Sequence, residues 1–158
     1  MTNNHKLKIG LDYHGLIDIN AIYFSNFCSE AKLRGHLVYI ITGGPKVLVE
    51  NLLSQNNIGH DFVYAISDYY QALGIVEQTP NGNICIPTSL WNRAKAKFCR
   101  ENDISIHIDD DKQYLQWFST LYAHYDKAEN IAVMPTGIKF DFNDDPKTVL
   151  AKMEQLFN

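Results

Sequence analysis

Residues 9–15 read Ile9-Gly10-Leu11-Asp12-Tyr13-His14-Gly15, an apolar run that stops on a carboxylate and reaches a glycine three positions later. Four more short apolar runs close in a similar way, at a turn signal or a carboxylate. With the first, Lys8–Tyr13, they are His36–Thr42, Phe62–Ser67, Ile104–Asp109 and Asn130–Thr136. Each is rich in Ile, Val or Tyr, and most are continuous rather than alternating, as strands covered on both faces are.

Segments with helical period separate them. Ala21, Phe24, Cys28 and Ala31 share a face that stops at Gly35. Gly44-Pro45 opens a helix carrying Val47, Leu48 and Leu52, with Pro suited to the first turn. A third helix begins near Thr88 and Ser89 and shows Trp91, Ala94, Phe98 and Cys99. A fourth runs from Asp111 with Tyr114, Leu115, Phe118, Leu121 and Tyr122, and a last one starts at Asp145-Pro146 with Val149, Leu150, Met153 and Phe157. This alternation predicts an α/β fold with a mainly parallel sheet. Residues 74–87 interrupt it with two short strands around Pro80-Asn81-Gly82, an Asn-Gly hairpin signal.

The length of 158 residues predicts one domain, residues 1–158, and 46% hydrophobic with 20% charged residues is ordinary for a globular chain. A net charge of −4 gives no footprint for nucleic acid or an anionic membrane. Cys28, Cys85 and Cys99 are scattered without a Cys-x-x-Cys spacing, which reads as reduced structural thiols. The polar start MTNNHKLK has no signal-peptide core, and no apolar run approaches the roughly 20 residues that span a bilayer. The expectation is a cytoplasmic protein.

In an open parallel sheet ligands bind beyond the carboxyl ends of the strands. There the first strand delivers Asp12, the second Thr42-Gly43-Gly44 and the fourth Asp109-Asp110-Asp111. A turn aspartate would account for Asp12 alone, and a helix N-cap with acidic first-turn residues for one or two of the triplet. Three carboxylates are harder to explain that way. If the first and fourth strands are neighbours, Asp12 joins them, and two carboxylates at about 4 Å repel by roughly 4 kcal/mol at an effective dielectric near 20. Such a cluster calls for a cation, and all-oxygen ligation points to Mg²⁺. Thr42 and the amides of Gly43 and Gly44 are suited to an anion. Lys95, with Arg93 and Lys97 nearby, is a candidate phosphate partner; Lys95 and Lys97, two apart on a helix, cannot face the same way.

In order and context, LDYHGLID, YIITGG, Lys95 in RAKAKFCREN and IHIDDDKQYL resemble the four motifs of the haloacid dehalogenase-like (HAD) hydrolase superfamily, over residues from about 6 to 135. The resemblance implies a three-layer Rossmann-like fold whose five-stranded sheet runs 5-4-1-2-3, with helices on both faces. It implies Asp12 as nucleophile of an aspartyl-phosphate mechanism. Mg²⁺ would be held by Asp12, Asp109, Asp110 and the His14 carbonyl, and phosphate by Thr42, Gly43, Gly44 and Lys95. Lys95 is favoured over Lys97 by its spacing through Cys99 to the acidic strand. Phosphatases of this family read Asp-x-Asp in the first motif; here the second position, the general acid, is His14, which can donate a proton near neutral pH. The expectation is therefore a Mg²⁺-dependent phosphatase, capless or minimally capped. Its open site suits a small phosphate ester or an exposed phosphate on a macromolecule, and Tyr69 and Tyr70 stand as candidates for its entrance. The alternative is a catalytically silent binding or regulatory protein that keeps the fold. A dinucleotide-binding domain fits poorly, because no Gly-x-Gly-x-x-Gly follows the first strand.

Overall fold

The computed structural model describes residues 5–158. Residues 1–4, part of the polar start read above for the absence of a signal segment, lie outside them. The strand β1 (Lys8–Leu11) is the centre of the sheet, in parallel register with β2 (Leu37–Thr42) on one side and β6 (Ile106–Asp109) on the other. Beyond β2 lies β3 (Phe62–Ala65); beyond β6 lies β7 (Leu121–Asp126), also parallel. Two antiparallel strands, β8 (Ile131–Val133) and β9 (Lys139–Asp141), extend that edge. The sheet thus has seven strands in the order β3-β2-β1-β6-β7-β8-β9. A separate antiparallel pair, β4 (Glu77–Gln78) and β5 (Ile84–Cys85), forms the hairpin signalled by Asn81-Gly82.

Alternation sorts side chains to two faces. Ile9, Leu11, Val38, Ile40, Val63, Ile106 and Ile108 join one core, covered by α1 (Ala21–Leu33), α2 (Lys46–Gln55) and α5 (Pro146–Gln155). On the other face Ile41 and Tyr64 pack under α3 (Ile66–Ala72) and α4 (Thr88–Glu101), with Ala94 and Cys99 pointing inward. No helix among the described residues is long and apolar enough to cross a membrane.

Three expectations are corrected. The sheet has seven strands, not five in the order 5-4-1-2-3. The strand beside β6 is Leu121–Asp126, and the run near Asn130, expected to be a parallel core strand, is the antiparallel β8. The helix expected from Asp111 to Tyr122 is only a 3-10 turn over Lys112–Trp117. The apolar positions 114, 115, 118, 121 and 122 mimic a helical stripe, yet Tyr122, Ala123 and Tyr125 are buried as strand residues. Aromatic residues suit a pleated, buried surface, and β6 offers an open edge to pair with. Finally, α2 buries Val49 and Leu53, whereas Val47 and Leu48 are 68% and 51% exposed. The stripe that packs on the sheet is Val49 and Leu53, four apart on one face. Helix α3, which directly follows β3, carries no periodic run long enough to announce itself.

The β8–β9 edge is fastened to α1 through one ring. Phe142 lies within 5.4–6.1 Å of the rings of Tyr23, Phe24, Phe27 and Tyr125 and is 1% exposed. Phe142→Ala should therefore cost about 3–5 kcal/mol, the range for deleting a buried aromatic side chain, read as a lower urea midpoint at unchanged slope.

Candidate active site

Because β1 is flanked by β2 and β6 in parallel register, their carboxyl ends open side by side. The backbone of Asp12 continues the pairing for one residue, its N–H donating to the Ile108 carbonyl (3.0 Å). In β6, Ile106 and Ile108 face one core while His107 and Asp109 face α4. Lys95, on the buried side of α4, meets them there. Its Nζ lies 3.0 Å from Asp12 Oδ1 and 2.7 Å from Asp109 Oδ2, and Asp12, Lys95 and Asp109 are 5%, 5% and 0% exposed. The Tyr13 N–H also donates to Asp12 Oδ1 (2.8 Å). Asp12 Oδ2 has no protein partner among the described residues.

Asp109 is held on three sides. Lys95 and His107 Nε2 (3.0 Å) bond Oδ2, and the Asp111 N–H donates to Oδ1 (3.0 Å). Since a carboxylate only accepts, His107 donates from Nε2. Its Nδ1 is buried without a partner, where a Cβ on Gly10 would come within 2.8 Å of it. Phe118 stacks parallel to the imidazole at 5.3 Å.

The protonation preferences differ sharply. Burial raises the carboxyl of Asp12 to about 7; Lys95 opposes the shift and Asp109 adds to it. Burial pushes Asp109 the same way, but Lys95 and the His107 hydrogen bond hold it below the usual carboxylate range. Burial acts to lower Lys95, yet the two carboxylates keep it charged, above the ordinary lysine value. Burial also lowers His107, favouring the neutral ring. One ammonium thus satisfies one carboxylate fully and the other only in part.

Asp110 completes an acidic group. One ligand oxygen each from Asp12, Asp109 and Asp110 lie within 4.8 Å of one another. Asp110 reaches this position by lying against Gly15, where a Cβ would be 2.1 Å from Oδ2; Gly15 also has φ +84°. Any side chain there would meet both the carboxylate and a strained backbone. Lys127, on the β7–β8 turn, pairs with the other side of the group (2.8 Å to Asp110 Oδ2). This donor set of hard oxygens with residual negative charge could hold a metal ion.

A cleft of about 380 Å³ opens above these groups, walled by His14, Gly43, Gly44, Trp91, Asp111 and Tyr114 as well. Of the expected residues, Asp12, His14, Gly43, Gly44, Lys95, Asp109 and Asp110 meet at this cleft. Lys97 faces away on the exposed side of α4, so of these two lysines it is Lys95 that lines the cleft. Thr42 is fully buried below the wall, its hydroxyl accepting the Gly44 N–H (3.2 Å). That amide is used internally, and the Lys46 N–H at the start of α2 is taken by Asp68 (2.8 Å), so less of the expected anion cradle is free. The His14 imidazole stands on the cleft wall, outside the carboxylate group, with Nδ1 3.5 Å from Asp18 Oδ2. Tyr69 and Tyr70 do not reach the cleft; they line another cavity.

Sequence reasoning missed Trp91 and Tyr114 as site residues. Trp91 lies on Gly43, where a Cβ would be 2.7 Å from the ring, and donates its indole N–H to the Tyr114 hydroxyl (3.2 Å). Tyr114 in turn places its ring 5.5 Å from Lys95 Nζ. The signal available was the Trp at one turn before Lys95, which helical spacing puts on the same side. His107 was equally readable as two residues before Asp109 on one strand face.

The chain matches no protein-family model and no curated protein. A solved structure described as "Crystal Structure of Glycosyltransferase from Rickettsia africae ESF-5" is similar over 78% of this chain at 14% identity, with a TM-score of 0.46. This chain spans 30% of that one.

The raised Asp12 has a measurable consequence for stability. The folded chain binds this proton more tightly than the unfolded chain, whose carboxyl titrates near 4. The contribution is therefore complete below about pH 4 and is lost as pH rises through about 7. Asp12→Asn removes that loss. In EDTA, the melting temperature of the variant minus that of the wild type should grow from about pH 5 to about pH 8; a constant difference would contradict it.

Proposed function

We propose that the protein is a Mg²⁺-dependent phosphatase of the HAD-like kind, acting on a phosphate monoester through Asp12. The observation that carries this reading is the Lys95 bridge between Asp12 and Asp109 beneath an open cleft, with the second oxygen of Asp12 free. A nucleophilic carboxylate needs a fixed orientation and a free lone pair. Tyr13 N–H and Lys95 fix Oδ1, which leaves Oδ2 to attack phosphorus and form the aspartyl-phosphate that water hydrolyses. Mg²⁺, bound by Asp12, Asp109 and Asp110, would supply positive charge to offset the carboxylates and the incoming phosphate. Lys95 is near enough to serve a phosphoryl oxygen as well as the carboxylate, the kind of preorganised charge that dominates phosphoryl transfer. His14, on the wall beside Gly44, is the candidate proton donor to the leaving oxygen, with Asp18 behind its Nδ1. The shallow cleft suits a small ester or an exposed phosphate on a larger molecule.

The alternative of a silent phosphate-binding protein draws on one observation: without a second cation, Asp12 holds its proton up to about pH 7, and a protonated carboxyl is a poor nucleophile. The two readings diverge in turnover.

Purified protein with Mg²⁺ should release phosphate from p-nitrophenyl phosphate or a panel of sugar and nucleoside monophosphates. EDTA should abolish this, and Asp12→Asn should reduce it by roughly 10³-fold or more. No turnover on any substrate, together with tight binding of Mg²⁺ and a phosphate mimic, selects the silent protein. At a hundred times its dissociation constant Mg²⁺ should add about 2.7 kcal/mol, a rise in melting temperature of roughly 5–10 °C that Asp110→Asn diminishes. If His14 is the acid, His14→Gln should lower kcat on alkyl phosphates by about 10²–10⁴-fold and spare p-nitrophenyl phosphate, whose leaving group needs no proton.

A further inference from the structure

Helix α4 has a second functional-looking side. Across it from the cleft lies a larger cavity of about 430 Å³, within the roughly 300–1,000 Å³ usual for small-molecule sites. Lys95 leaves the helix toward Asp12 and Asp109. Arg93, Lys97 and Arg100, at i, i+4 and i+7, share the outward face and line this cavity. None of these three side chains enters an ion pair or hydrogen bond among the described residues, although carboxylates outnumber cations in the chain as a whole, 18 to 14. Like charges four apart on a helix cost about 0.2–0.5 kcal/mol, so the cluster works against the helix unless something anionic offsets it.

The remaining wall is apolar and aromatic. Trp117, at the end of the 3-10 turn, lines the cavity with neither an aromatic neighbour nor a hydrogen bond to its indole N–H among the described residues. Leu73 and Ile75, between α3 and the hairpin, face it 55% and 40% exposed. The three cations cover about 10 Å of helix at 1.5 Å per residue, a spacing for successive anionic groups rather than one.

We propose that this cavity binds a nucleoside polyphosphate, its planar base against Trp117 and its phosphates along Arg93, Lys97 and Arg100. An unpaired ring beside an unpaired row of cations matches that combination. The basic patch is confined to one helix, too short a track for an oligonucleotide in a chain of net charge −4. The inference does not depend on the phosphatase reading, since the two sites use different side chains of α4 and of the 3-10 turn: Trp91, Lys95 and Tyr114 in the cleft, Arg93, Lys97, Arg100 and Trp117 in the cavity.

The chain has two tryptophans, one in each site, so Trp91→Phe leaves Trp117 as the single reporter. In that background, with Asp12→Asn to prevent turnover in the cleft, ATP and GTP should change Trp117 fluorescence saturably. Tripolyphosphate and adenosine should each bind at least tenfold more weakly than ATP. Arg93→Ser combined with Arg100→Ser, shown to fold by circular dichroism, should weaken ATP at least tenfold. Calorimetry with ATP gives an independent readout. No saturable binding by either method, or an affinity unchanged in the double arginine variant, overturns the proposal. So does tripolyphosphate binding as tightly as ATP, or tighter binding of an acidic glutamate-rich peptide or a single-stranded oligonucleotide.

Discussion

A single ammonium group organises this protein's cleft. Lys95 is buried, and a buried lysine persists only where its charge is matched. Its two partners come from different strands, Asp12 from the end of β1 and Asp109 from the end of β6. The bridge therefore requires that β1 and β6 be neighbours, that both end at the same level, and that α4 lie close over the sheet. Ala94 and Ala96 flank Lys95 and are buried at 1% and 4% exposure; their small side chains let the helix come close enough for the lysine to reach. Removing the ammonium would leave two carboxylates facing each other in a poorly solvated place.

One cation against two carboxylates leaves the site short of positive charge. Asp109 receives most of what is available, because His107 and an amide add to Lys95. Asp12 receives less, and burial raises its affinity for a proton. The same imbalance that makes Asp12 hold a proton makes the cluster receptive to a metal ion once Asp110 is counted. Gly15 enters here as a spatial requirement, since its missing side chain is the room Asp110 occupies. Opposite, Trp91 uses the absence of a side chain on Gly43 in the same manner and joins Tyr114 to form an aromatic rim. The rim, and not the β4–β5 hairpin or Tyr69 and Tyr70, bounds the cleft.

Much of this was legible, for identifiable reasons. The strands β1, β2, β3 and β6 are short apolar runs with clear terminations, and a buried parallel strand has no other sequence form. Asp12, Asp109, Asp110 and Lys95 were legible because charges at strand ends and on an apolar helix face conflict with their surroundings unless they meet one another. Leu121–Asp126 was not, because Tyr114 to Tyr122 carry a spacing that both a helix and a turn followed by a strand can bury. The buried face of α2 was hidden because Val47, Leu48, Val49, Leu52 and Leu53 offer more than one apolar stripe, and packing selected Val49 and Leu53. Thr42 carries a hydroxyl suited to an anion, but the hydroxyl is buried and accepts the Gly44 N–H instead.

By itself the sequence determined the class of the fold and the kinds of chemistry at the strand ends, since hydrophobic period and misplaced charge are local properties. Only the tertiary structure decided which of two lysines is buried and which strand follows β6. It alone put Trp91 and Tyr114 over the carboxylates, and it gathered Arg93, Lys97 and Arg100 beside Trp117. Those outcomes depend on which faces are left open after the sheet and its helices have packed, and no stretch of chain carries that information alone.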